Sequence, residues 1–294
     1  MSRIQYIYIL SQRYSGSTLL SFLLATHPDI ATIGERRKFY NKAMRPDSGP
    51  AQRCSCGELF TDCSHWQRIS KRVQQRLQPQ DLTTNFTEFE LFRSPFFNKL
   101  WDRWHFSALF RGRYAKLYQA NQVLVEEILA LDDKTVFLDS SKTYKQLQHL
   151  QKIEAFDLKV IWLSRDPRAQ VSSALKYNSW TVEQAAATWV KEMEHYEEHL
   201  RKGAFSFLPV RYEQLCRNPL EEMQRILKYL QLDEKQFSLD FRGQEQHIMG
   251  NASMRLGKDR KIEERKDWQD RLKPTEVRLI EEMTQAYNEF YSPT

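Results

Sequence analysis

The apolar, β-branched and aromatic run Ile4 to Leu10 breaks abruptly into Ser11-Gln12-Arg13-Tyr14-Ser15-Gly16-Ser17-Thr18. Leu19 to Leu24 then resumes with helical character up to His27-Pro28. Strand, short polar loop and helix in that order make an anion site, because the first helical N–H groups are unpaired and the positive end of the helix dipole faces the loop. The register is that of the phosphate-cradling pattern G-x-x-x-x-G-K-[ST], with Ser11 in place of the first Gly and Ser17 in place of the Lys. Gly16 and Thr18 are retained. Without the lysine the loop lacks the charge that triphosphate chemistry needs. It suits a nucleotide with a 5′ mono-anionic extension better than Mg-ATP.

Three more strand-like runs end in polar loops. Thr135 to Leu138 leads into Asp139-Ser140-Ser141-Lys142 and a mixed stretch to Ile153. Leu158 to Leu163 leads into Ser164-Arg165-Asp166-Pro167 and a helix through Leu175, and Phe205 to Val210 leads into Arg211-Tyr212-Glu213 with a helix after Asn218-Pro219. Short apolar strands alternating with helices predict a parallel sheet covered on both faces. In such sheets ligands bind at the carboxyl ends of the strands, where these four loops would gather.

The chain has four cysteines, too few for a disulfide scaffold at this length. Cys54-x-Cys56 and Cys63-x-His65 could together form a Cys₃His zinc site, with free thiols or a loop disulfide as the alternatives. The spacing is not a standard finger spacing, and the chemistry read from the other loops requires no metal.

The 294 residues carry 44 Lys+Arg against 38 Asp+Glu, a net charge of +6, with 41% hydrophobic and 28% charged residues. That balance excludes collagen-like, mucin-like and disordered classes. No stretch approaches the roughly 18 uncharged apolar residues of a membrane span. The N-terminus enters its first strand at once, which leaves no room for a signal peptide and leads to the expectation of a cytoplasmic protein. Residues 40 to 130 depart from the strand–helix alternation, with a Pro/Gly/Cys-rich loop and then a segment dense in aromatics: Phe86, Phe89, Phe92, Phe96, Phe97, Trp101, Trp104, Phe106, Phe110, Tyr114 and Tyr118. It reads as a helical insertion packed on the sheet, its rings serving the core as aromatics mostly do. The expectation is one α/β domain over 1–294, a P-loop-like three-layer sandwich with a central parallel sheet flanked by helices and a helical insertion at about 40–130. No basic run interleaved with aromatics asks for RNA or DNA.

Tyr14-Ser15-Gly16-Ser17-Thr18-Leu19-Leu20, with His27-Pro28-Asp29-Ile30 and Gly34-Glu35 behind it, resembles the 5′-phosphosulfate loop and first helix of PAPS-dependent sulfotransferases. The likeness leans toward the tyrosylprotein and carbohydrate branch and its bacterial relatives. Ser164-Arg165-Asp166-Pro167-Arg168-Ala169-Gln170-Val171-Ser172-Ser173 resembles the family's 3′-phosphate motif, an Arg followed eight residues later by a Ser. Arg211-Tyr212-Glu213 resembles its late strand–helix unit, and Gly250-Asn251 with Arg255, then Ile262 and Trp268, is similar to a C-terminal loop of the carbohydrate-type branch. The matches fall in family order and span most of the chain.

The resemblance implies a sulfotransferase that moves the sulfonate of 3′-phosphoadenylyl sulfate (PAPS) to a hydroxyl acceptor and releases adenosine 3′,5′-bisphosphate. Ser15, Gly16, Ser17 and Thr18 would hold the 5′-phosphosulfate. Arg165 and Ser173 would hold the 3′-phosphate, and Tyr212 would contact the nucleotide. Arg255 would join the same anionic site. The family commonly carries Lys or Arg immediately before Ser-Gly, where this chain has Tyr14 with Arg13 one position earlier, so either could face the sulfonate. Glu35 is implied as general base, with Arg37 nearby to orient the acceptor or neutralise charge, and Lys142 as the cation on the bridging oxygen. A Glu-type base leans the acceptor toward a small alcohol, sugar or lipid, with protein tyrosine still open. A P-loop kinase or a non-catalytic nucleotide-binding module is the alternative.

Overall fold

The computed structural model describes residues 3–44, 52–77, 86–89, 111–202, 205–258 and 260–290. Five strands form one sheet: β1 (Ile4–Ser11), β2 (Ile30–Thr32), β3 (Val136–Lys142), β4 (Phe156–Ser164) and β5 (Phe207–Arg211), in the order β2-β3-β1-β4-β5. Every pairing is parallel. The helices are α1 (Ser17–Leu24), α2 (Ser64–Arg76), α3 (Arg111–Asp132), α4 (Tyr144–Leu150), α5 (Pro167–Tyr177), α6 (Val182–Lys202), α7 (Tyr212–Arg217), α8 (Pro219–Tyr229), α9 (Ala252–Leu256), α10 (Trp268–Arg271) and α11 (Pro274–Thr284).

The three layers follow from the alternation of side chains along a strand. Tyr6, Tyr8 and Leu10 of β1 enter a core shared with α2, α3, α4 and α6. Ile7 and Ile9 point the other way, into a core shared with α1, α7 and α8. All five are fully buried, so β1 reads as a continuous apolar run because both its faces are covered. A third, smaller cluster joins α5, α6 and α11 through Val171, Ala185, Ala186 and Ile280.

Two features depart from the sequence expectations. β2 is only three residues long, too short to leave a periodic signature. β3 does not stop at Leu138 but runs on through Asp139, Ser140 and Ser141 to Lys142, with all but Lys142 buried. Polar residues stay in a central strand there because Asp139 is fully bonded, as described below. Of the insertion, α2, α3 and the turn Phe86–Glu88 are described, and Phe86, Phe89 and Tyr114 are buried core. Phe92, Phe96, Phe97, Trp101, Trp104, Phe106 and Phe110 lie outside the described residues. Among the described residues no helix is long and apolar enough to cross a membrane.

Candidate active site at the carboxyl edge of the sheet

Parallel pairing puts all five strand ends, and the loops that follow them, on one edge. β1 sits between β3 and β4, with Leu10 in register with Lys142 and Ser11 with Leu163. The loop after β1 is therefore flanked by the ends of both neighbours.

That loop presents the kind of donors an anion would take. Gly16 caps α1 with φ of +90°, its residue type offers no side-chain acceptor, and the first turn of α1 holds no acidic residue. The opening N–H groups of the helix are thus left to an external partner. A Cβ at Gly16 would fall inside the Tyr212 ring, so glycine is needed both for the left-handed backbone and for the close approach. Tyr212 in turn donates its hydroxyl to the Glu263 carbonyl at 3.1 Å and carries the Arg165 guanidinium over its ring at 4.4 Å. Arg165 reaches back to the loop, donating to the Tyr14 carbonyl at 2.8 Å and to the Arg265 carbonyl at 3.3 Å. Asp166 caps α5 by accepting from the Arg168 N–H at 2.8 Å. Two buried atoms facing this region, Ser15 Oγ and Arg165 Nε, have no partner among the described residues. A buried polar group left so costs about 1–3 kcal/mol, and a phosphate or sulfonate oxygen is the acceptor to which these donors would donate. The residues present fit a 5′-phosphosulfate and a second phosphate.

The remaining nucleotide candidates are less converged. Ser173 spends its hydroxyl proton on the Ala169 carbonyl at 2.8 Å and keeps only acceptor capacity. The exposed Arg13 is pinned through its carbonyl by Gln170 Nε2 at 2.8 Å. The Tyr14 ring stacks on Tyr177, centroids 5.5 Å apart. Thr18 accepts from the Asn251 N–H at 3.1 Å, and a Cβ at Gly250 would collide with the Thr18 side chain, so the C-terminal loop docks on the first turn of α1. Arg255 from that loop is buried over the Phe60 ring and donates to the Gly250 carbonyl at 3.3 Å.

One strand over stands an ionic pair. Glu35 Oε1 lies 3.1 Å from Lys142 Nζ and Glu35 Oε2 lies 2.6 Å from Lys38 Nζ. The Glu35 carboxyl is buried, which by itself would push its pKa up, but the two ammonium groups hold it down at about 2. Lys142 occupies the left-handed region at φ of 75°, a strained position for a lysine. Gly34, at φ of 74°, lets the chain turn against Met249, which accepts from the Glu35 N–H at 3.4 Å.

Beneath the pair lies a polar network that sequence reasoning missed. Arg36 is fully buried and donates Nε to Asp139 Oδ2 at 3.0 Å. Asp139 also accepts from Tyr6 Oη at 2.8 Å and from the N–H and hydroxyl of Ser141 at 2.8 and 2.5 Å. The rest of the guanidinium is satisfied by the Thr87 carbonyl, Asn121 and Gln146. The residue next to Glu35 is thereby locked to the strand that ends in Lys142. Charges such as these read as solvated surface in a bare sequence, and only the adjacency of Arg36 to Glu35 could have raised suspicion. Arg37 is engaged by Glu88 at 3.4 Å, and its N–H donates to Ser141 Oγ at 3.0 Å.

The metal-donor expectation needs one correction. Cys54, Cys56 and Cys63 do come together, but their imidazole partner is His247, not His65. His65 stacks on the His247 ring at 4.3 Å and faces Asp132. Sequence spacing favoured the histidine two positions after Cys63, whereas the fold delivers one from the far C-terminal loop.

The chain matches the model of a family described as Sulfotransferase family over residues 6–236. No curated protein matches the sequence significantly. Among solved structures, the sulfotransferase domain from the Synechococcus PCC 7002 olefin synthase is similar over 97% of this chain and 96% of its own, with a TM-score of 0.57 at 20% identity. The sulfotransferase domain from the curacin biosynthetic pathway is similar over 97% of this chain and 98% of its own, with a TM-score of 0.51 at 16% identity. Identities this low speak to a shared fold.

Proposed function

Since the chain belongs to the sulfotransferase family, we propose that it transfers the sulfonate of PAPS to the hydroxyl of a small alcohol, sugar or lipid and releases adenosine 3′,5′-bisphosphate. The observation that carries this reading is the Glu35–Lys142 pair at 3.1 Å, held beside an uncapped helix N-terminus whose lysine has been replaced by Ser17.

The reaction forms a bond from the acceptor oxygen to sulfur and breaks the bond from sulfur to the bridging phosphate oxygen. The hydroxyl proton goes to Glu35, and the electron pair of the broken bond stays on the phosphate. Ser15, Gly16, Ser17 and Thr18 orient the 5′ end through backbone N–H groups and hydroxyls. Arg165 binds the 3′-phosphate, for which a guanidinium offers paired donors, Ser173 turns its hydroxyl proton from the Ala169 carbonyl to the same phosphate, and Tyr212 packs on the nucleotide. Lys142 stabilises the charge that develops on the leaving oxygen.

The pair also sets the timing. With Lys142 and Lys38 on it, the Glu35 carboxylate is ionised but a weak base. The doubly negative phosphosulfate of the nucleotide draws Lys142 toward itself, and the carboxylate left behind becomes more basic while the sulfonate is in place. Positioning and electrostatics then do the rest, as suits a transfer with little covalent work for the protein.

The test is to incubate the protein with radiolabelled PAPS and separate panels of sugars, lipids and other aliphatic alcohols, and phenols including tyrosine peptides. Label is expected in an aliphatic hydroxyl product. Label confined to phenols would overturn the acceptor class, and no transfer to any panel would overturn the activity.

A further inference from the structure

Cys54, Ser55, Cys56 and Gly57 form a tight knuckle. The Cys54 N–H donates to the Glu58 carbonyl at 2.7 Å and the Gly57 N–H to the Cys54 carbonyl at 3.0 Å, with Gly57 at φ of +97° and Arg53 bridged to Leu59. Cys63 follows at the start of α2, its N–H on the Leu59 carbonyl at 2.9 Å. The knuckle is fastened to a segment far along the chain: Ser55 Oγ accepts from the Ile248 N–H at 2.7 Å and donates to the Gln246 carbonyl. Those two bonds bracket His247 and deliver its Nδ1 to the sulfurs.

Three of the six donor–donor spacings are close to the edges of a zinc tetrahedron. Zinc takes sulfur at about 2.3 Å and imidazole nitrogen at about 2.0 Å, which sets S···S edges of about 3.8 Å and S···N edges of about 3.5 Å. Here Cys56 Sγ and Cys63 Sγ are 3.7 Å apart, and His247 Nδ1 is 3.5 Å from Cys54 Sγ and 3.3 Å from Cys63 Sγ. All four donor atoms lie within 4.8 Å of one another. A disulfide would bring two sulfurs to about 2.05 Å, and all the cysteines are free.

The surroundings are those of a ligated site. Trp66 Nε1 donates to Cys54 Sγ at 3.1 Å, a bond that favours thiolate. The other nitrogen of His247 faces Glu245 at 3.6 Å, and the ring is held flat against His65. Arg255, buried within electrostatic reach of both Cys54 and Glu35, offsets the net negative charge that three thiolates and one divalent ion would leave.

We propose that Cys54, Cys56, Cys63 and His247 hold one structural zinc ion that clamps the C-terminal loop onto the sheet beside the active site. Four protein ligands leave no open position, so the ion has no catalytic water to offer. Soft thiolates in tetrahedral array select zinc over the harder divalent ions. The clamp matters for position, because the chain runs directly from His247 to Met249, which pairs with Gly34 ahead of Glu35, and to Gly250, which packs on Thr18. The ion would thus join the knuckle of the insertion to both the base and the phosphosulfate loop. Zinc binding by these four residues is independent of the acceptor and of the transfer itself.

The test is elemental analysis of the full-length protein purified without chelator, alongside Cys56→Ser, His247→Ala and His65→Ala. One zinc per chain is expected in the parent and in His65→Ala, with loss in the other two. Replacing zinc by cobalt(II) in the parent should give the visible bands of a tetrahedral site with thiolate charge transfer, a readout that does not depend on any variant folding. Parent protein without bound zinc, retention of zinc in His247→Ala, octahedral cobalt spectra, or fewer than four titratable thiols in the denatured, unreduced chain would each overturn the proposal.

Discussion

As the proposed general base, Glu35 faces two opposed demands. It must be ionised before the acceptor arrives, and it must be basic enough to take a proton once it has. The fold meets the first by holding the carboxyl at about 2 with Lys142 and Lys38. A lowered carboxyl stays ionised as pH falls until its own folded pKa is reached. The profile of kcat/KM for PAPS, which reports the free protein, should therefore show no acid limb from Glu35 above about pH 2. Once Lys142 turns to the bound anion the carboxyl rises, so kcat should acquire an acid limb at distinctly higher pH. Coincident limbs would contradict the exchange of partners. Glu35→Gln should lower kcat by roughly 10²–10⁴-fold, the range for a general base. Its affinity for the bisphosphate should stay close to that of the parent. Unchanged single-turnover rates would retire Glu35 as the base.

At the scale of elements, the site depends on a strand that carries polar residues into the core. β3 remains a strand through Asp139, Ser140 and Ser141 because Arg36, Tyr6 and Ser141 saturate the Asp139 carboxylate. Removing one member of a fully buried pair leaves an uncompensated charge, so Asp139→Ala should cost about 3–5 kcal/mol in urea unfolding. A loss under about 1 kcal/mol would show that the pair does not hold the strand end. The same element shows what a sequence can and cannot disclose. β1, β4 and the loop through Gly16 are legible because apolar run, break and helix are contiguous in the chain. β2 is too short for periodicity, and the polar half of β3 reads as loop until its distant partner Arg36 is known. His247 was invisible for the same reason: it sits 184 residues from Cys63, and no local pattern marks it as the fourth donor.

At the scale of the molecule, the excess of six positive charges could have served nucleic acid, lipid or phosphorylated ligands. The fold places part of it at one edge. Lys142 and Arg165 flank the anion loop from the strands on either side of β1, and Arg255 is buried in the C-terminal loop that docks on α1. Other basic residues pair with acids at the surface, as Arg201 does with Glu197 and Arg271 with Asp267. We propose that this edge is a site for a 3′-phosphorylated nucleotide that needs no magnesium. Titration calorimetry in magnesium-free buffer tests it directly, with adenosine 3′,5′-bisphosphate, adenosine 5′-phosphate and ATP as ligands for the parent and for Arg165→Ala. The parent should bind the bisphosphate without magnesium, and Arg165→Ala should weaken the bisphosphate far more than adenosine 5′-phosphate. Binding of ATP alone and only with magnesium, or an equal loss for both adenosine nucleotides in Arg165→Ala, would contradict it.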